Sequence, residues 1–162
     1  MRGRITHLLI LIAGLALALV TATSTIHAQE AGQPAQVLIA AESSQFKNAV
    51  VTQITQTLQA DGHPVTIIEL TRLAATPLHD YQAILVVNSC RAWRPSRELR
   101  DFLRRASDAD KKKLVVLTTA NSEACDLKVP GIDAVSSASK RTRIDGMSQA
   151  IINKLRARLK PP

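Results

Sequence analysis

The sequence predicts one α/β domain built on a five-stranded parallel sheet. Three observations carry this expectation. Short apolar runs recur without polar alternation, as suits strands covered on both faces. Between them lie segments with apolar residues every three or four positions, the spacing of an amphipathic helix. The two patterns alternate, which is the order of a parallel sheet joined by crossovers. A chain of 162 residues suits a single core. Hydrophobic residues make up 46% and charged residues 21%, which excludes disorder throughout. Only Phe46, Tyr81, Trp93 and Phe102 are aromatic in the Phe, Tyr or Trp sense, so the core must be aliphatic.

The first segment stands outside this pattern. Met1-Arg2-Gly3-Arg4 is a basic start, Ile5 to Val20 is apolar, and Thr21 to Gln29 is polar. That order is the secretory signal pattern, with cleavage expected near Ala28 and an alternative after Ala22. If uncleaved, it would act as a membrane anchor, although it is shorter than the ~20 residues of a full span. The expected organisation is a signal peptide over 1–28, a linker over 29–35 and a domain over 36–162. The expected location is periplasmic or secreted.

Each element of the domain has a local reason. Gln36 to Ala41 is the first apolar strand. Ser43 or Ser44 caps a helix in which Phe46, Val50, Ile54 and Leu58 recur every four residues, and Asp61-Gly62 stops it. Val65 to Leu70 is a second strand, rich in β-branched residues. Leu73 to His79, interrupted by Pro77, is too irregular for a long helix. Ala83 to Asn88 is the third strand. Pro95 is expected to open a helix with Leu99, Phe102, Leu103 and Ala106 on one face. Asp110 to Lys113 reads as an exposed run before a fourth strand, Leu114 to Thr119, and Ile132 to Ser137 is the fifth. Thr142 and Asp145 resemble a capping box for a last helix with Ile144, Met147, Ile151, Leu155 and Leu159 inward. About twelve residues separate strands four and five, little for a full crossover, so that helix is expected to be reduced.

The stretches VLIAAESSQFKNAVVTQITQTLQADGHPVTIIELTRL and DYQAILVVNSCRAWRPSRELRDFL resemble the flavodoxin-like domain in the order and spacing of their elements. That resemblance implies a three-layer sandwich with strand order 2-1-3-4-5, and FMN at the carboxyl ends of the strands. The family's phosphate loop falls on Ser44-Gln45-Phe46-Lys47-Asn48-Ala49. Ser44 and Asn48 match its pattern. Lys47 stands at its glycine and Ala49 at its threonine. Ser43, Ser44, Lys47 and Asn48 are then the phosphate candidates, by analogy with anion binding at a helix start. Trp93, after the third strand, is the candidate contact to the flavin ring. The resemblance also brings Cys90 and Cys125 to neighbouring loops, where an exported protein favours a disulfide.

Charge is uneven along the chain. Residues 29–90 hold two basic and five acidic side chains, whereas residues 91–162 hold seventeen basic and eight acidic. Arg97, Arg100 and Arg104 share a helix face by their spacing, and suit an acidic protein partner or an anionic membrane surface. Nucleic acid is not expected, because aromatics do not interleave the basic residues. His63 and His79 precede strands two and three, away from the candidate site, and no metal role is expected of them. No catalytic residues are assigned, since neither a glycine-rich nucleotide fingerprint nor a Ser–His–Asp motif is present. Two functions remain open. One is FMN-dependent electron transfer, in which the cofactor carries the electrons. The other is a cofactor-free binding or interaction module, favoured by Lys47, by Ala49 and by the lack of Tyr or Trp in residues 120–124.

Overall fold

The computed structural model describes residues 36–120 and 130–159. Pro34–Pro162 forms one compact unit, which is the domain described below. The expected signal peptide and linker lie outside the described residues, as does the connection expected to replace a helix between the last two strands.

The domain begins with strand β1 (Val37–Ala41), helix α1 (Gln45–Ala60) and strand β2 (Val65–Glu69). A 3-10 turn over Leu70–Ala75 leads to strand β3 (Ala83–Arg91), the two-residue strand β4 (Arg94–Pro95) and helix α2 (Arg97–Arg105). Helix α3 (Asp108–Lys113), strand β5 (Leu114–Ala120), strand β6 (Asp133–Ala138) and helix α4 (Ile144–Leu159) complete it. The long strands lie in the order β2-β1-β3-β5-β6, all parallel. This is the order expected for five strands, with one addition. β4 pairs antiparallel with the end of β3, off the main path.

Strand alternation explains why the strands read as unbroken apolar runs. Val37, Ile39, Leu85, Val87, Val115 and Leu117 face α1 and α4, joining Val50, Ile54, Leu58, Ile151 and Leu155 in one core. Leu38, Ala40, Ile84, Val86, Leu114 and Val116 face the other way, onto Leu70, Leu73, Leu99 and Phe102. Successive strand side chains point to opposite faces, so burial on both sides favours apolar residues, with Asn88, Thr118 and Thr119 as hydrogen-bonded exceptions. At the sheet's outer edge β2 is less covered, and Ile67 is half exposed.

Two local expectations, at Pro95 and Thr142, need correction, and two others gain detail. Pro95 does not open a helix: it pairs with Cys90 in β4, and Ser96 caps α2 by accepting from the Leu99 amide at 3.3 Å. Asp110 to Lys113, the run expected to be exposed, buries none of its residues and winds into α3, because Ser107 caps that helix at the Asp110 amide. Part of the segment after β2 winds into the 3-10 turn, which Leu70 and Leu73 anchor in the core. Thr142 sits inside a short 3-10 turn over Arg141–Arg143, which leads directly into α4.

Candidate functional site

The carboxyl ends of β1, β3 and β5 open onto one cleft, about 830 Å³ in volume. Glu42, Ser43 and Ser44 contribute from the β1–α1 loop, Ser89 and Arg91 from β3, and Trp93 from the hairpin that follows. This is where α/β sheets of this kind usually bind ligands.

The β1–α1 loop is three residues long, because α1 already begins at Gln45. Ser44 is the cap, its extended backbone turning the chain and its Oγ accepting from the Lys47 amide at 3.2 Å. Ser43 is engaged by Asn48, whose Nδ2 donates to Ser43 Oγ at 3.3 Å. Five of the six residues that the sequence assigns to a phosphate loop therefore form the first turns of a helix.

Lys47 is 3% exposed. Its ammonium lies 2.6 Å from Glu42 Oε2 and also donates to Ser89 Oγ, while that hydroxyl donates to the same Glu42 oxygen. Glu42 is brought to Ser89 by the sheet itself. Its amide donates to the Val87 carbonyl at 2.9 Å, continuing the β1–β3 pairing one residue past the strand. Partial burial pushes the Glu42 carboxyl up, but the hydrogen bonds from Lys47 and Ser89 and the Lys47 charge outweigh it. The group is held below its ordinary value. Sequence reasoning missed Glu42 and Ser89, since neither falls in a recognisable motif.

Trp93 occupies the tip of the β3–β4 hairpin. Arg91 pairs with Arg94, leaving Ala92 and Trp93 as a two-residue turn. Both have positive φ, 47° and 62°, as in type I′ turns, which usually use Asn-Gly. The indole is 72% exposed. Behind the hairpin, Asn88 is fully buried and donates to the Leu117 carbonyl at 3.1 Å and to Thr118 Oγ1 at 3.0 Å. Its Oδ1 accepts from the Ser96 amide at 3.2 Å, tying the start of α2 to the sheet. Cys90 is disulfide-bonded, while its expected partner, Cys125, lies outside the described residues.

The arginine face expected from spacing is only partly free. Arg97 pairs with Asp101 at 3.4 Å, and Arg104 pairs with the same carboxylate. Arg100 and the hairpin arginines Arg91 and Arg94 line a second cleft of about 720 Å³ beside the first, along with Arg97. Among the described residues, no group of three or more His, Cys, Asp or Glu side chains is placed to hold a metal. No described helix is long and apolar enough to cross a membrane.

No protein-family model matches the sequence, and no curated protein matches it. Solved structures do match the fold. A flavodoxin from the domain Archaea superposes with a TM-score of 0.56 at 10% identity, covering 77% of this chain and 99% of that one. A Fusobacterium nucleatum flavodoxin bound to flavin mononucleotide gives 0.55 at 8% identity, over 78% and 99%. Flavodoxin 2 from Bacillus cereus gives 0.50 at 18% identity, over 74% and 99%. This is a flavodoxin-like fold.

Within that flavodoxin-like frame, the residues present do not make a flavin phosphate cradle. The loop is short, its lysine is held by Glu42 and Ser89, and its two serines are drawn toward the Lys47 amide and Asn48. Glu42 also stands on the cleft wall, so the Lys47–Glu42 pair offers no net positive charge to a phosphate there. Among the described residues, Trp93 retains a position suited to a flat ring.

Proposed function

We propose that this protein is an exported flavodoxin-like binding module, acting in the periplasm or outside the cell without a resident flavin. One observation carries the reading. The Lys47 ammonium, the cation in the stretch that resembles a phosphate loop, is consumed inside the fold by Glu42 and Ser89. A lysine so held is a structural strut rather than a ligand-binding group. The cleft wall still offers the Arg91 guanidinium and the Trp93 indole. That set suits a polar ligand with a flat face. The basic start and apolar run of residues 1–20 support export.

FMN titration of the chain beginning at Gln29 tests this directly. The expected result is no saturable quenching of flavin fluorescence in a folded sample. Saturable micromolar binding, lost in Trp93→Ala, would overturn it and establish the second reading, electron transfer by bound FMN. That reading draws on the exposure of Trp93 at the cleft and on the FMN carried by a structural neighbour. Export is tested by the mass of the chain recovered from the periplasmic fraction. Loss of residues 1–28 is expected, and recovery of the intact chain with the membranes would show an anchor instead.

A further inference from the structure

We infer that the β3–β4 hairpin is a docking tip for an anionic phospholipid surface, with Trp93 at headgroup level and Arg91, Arg94 and Arg100 against the phosphates. It shares Trp93 and Arg91 with the cleft wall and adds Arg94 and Arg100 outside it.

The hairpin concentrates three features on one edge. Its turn holds two non-glycine residues in the left-handed region, a conformation that a Cβ disfavours. Such strain points to a role for the side chain that it displays. The displayed side chain is the chain's one Trp, 72% exposed. On either side stand Arg91 and Arg94, with Arg100 one helical turn into α2, all exposed. Among the described residues, no carboxylate engages these three guanidiniums, whereas Arg97 and Arg104 are occupied by Asp101. Glu98 and Glu69 border the same cleft, but Glu42 is already neutralised by Lys47.

The choice of a membrane over a protein follows from what the surface lacks. A stable protein interface needs a contiguous desolvated centre with several apolar side chains. Here the exposed large hydrophobics among the described residues are Trp93 and Ile67, and Ile67 sits on β2 at the sheet edge rather than on the hairpin. A bilayer surface asks for less. One indole at the interface and a few cations facing anionic headgroups suffice for peripheral binding.

The test uses the chain from Gln29, since Pro34–Pro162 is a compact unit by itself and an apolar leader would bind vesicles unaided. Vesicles of phosphatidylcholine, alone or mixed with phosphatidylglycerol, are added while tryptophan emission and cosedimentation are followed. The expected result is a blue shift and cosedimentation with the mixed vesicles only, both reversed by high salt. Replacing Arg91 and Arg94 together by Ala should weaken partitioning about 30-fold, at about fivefold per basic residue near such a surface. Trp93→Ala should weaken it without changing far-UV circular dichroism. Equal behaviour with both vesicles, no binding, or binding unchanged in the double-arginine variant would each overturn the inference. So would the same blue shift with glycerol phosphate alone, which would assign the contact to a small anion in the cleft. Trp93 and Arg91 also line the cleft that FMN titration reads, so Arg94 and Arg100, which line the second cleft and not the first, separate the two results: vesicle binding depends on them and FMN binding does not.

Discussion

The Lys47 ammonium lies 2.6 Å from the carboxylate of Glu42, five residues earlier in the chain. The two share the hydroxyl of Ser89, on the neighbouring strand β3. The pair joins the start of α1 to the carboxyl end of the sheet, where a flavodoxin-like fold has its ligand cleft. Breaking one partner of a buried pair costs more than replacing both, because the remaining charge stays buried and alone. Glu42→Ala should therefore destabilise the domain by about 3 kcal/mol in urea unfolding. The double change Glu42→Gln with Lys47→Met should recover most of that loss. A double variant as unstable as the single one would show that the pair is not a coupled unit.

Acid should weaken the same contact. The folded-state pKa of Glu42 is depressed, so its contribution is complete above the unfolded value of about 4.3 and is lost as pH falls through the lower folded value. Asp133 behaves likewise, held down first by the hydrogen bond from Arg158 and then by Lys154. Stability should fall steadily below about pH 4.3, and Glu42→Gln should flatten part of that slope. An unchanged slope in Glu42→Gln would show that the carboxylate is not linked to folding in this range.

Asn88 is the second buried polar anchor, and it is filled on both sides of its amide. Asn88→Leu would strand the Ser96 amide and the Thr118 hydroxyl, and should cost about 2 kcal/mol or more. The effect should appear in thermal unfolding, with the backbone around Ser96 losing hydrogen-exchange protection first. A variant of unchanged stability would mean that the α2 entry does not depend on this residue.

The hairpin offers a test of opposite sign. Glycine accepts positive φ at no steric cost, so Ala92→Gly should relieve strain and stabilise the domain by about 1 kcal/mol. A rise in the urea midpoint would confirm that the left-handed turn costs stability. A fall would show that Ala92 contributes packing that outweighs it.

The parts legible in sequence were those with a repeating physical signal. α1 announced itself through Phe46, Val50, Ile54 and Leu58, all of which are buried, and the long strands through residues covered on both faces. α3 gave no such signal, since its six residues bury nothing and only the Ser107 cap marks it. The hairpin was hidden because Ala-Trp carries none of the usual turn chemistry. At the site, Ser44 was legible as a cap, while the Glu42–Lys47–Ser89 cluster was not. Its members are five and forty-two residues apart, and only the β1–β3 register brings them together. Lys47 was singled out for its place in a resemblance, and its actual partners emerge only from the fold.

The outer margin of the sheet has a consequence for handling the protein. Among the described residues β2 pairs with β1 alone, and its sequence Val65-Thr66-Ile67-Ile68-Glu69 carries a single charge at one end. Edge strands are commonly blunted by lysine, proline or a bulge, and none of these interrupts this one. In concentrated solution a second molecule has a template there for strand addition. Loss of material on storage should begin at β2, and Ile67→Lys should slow it.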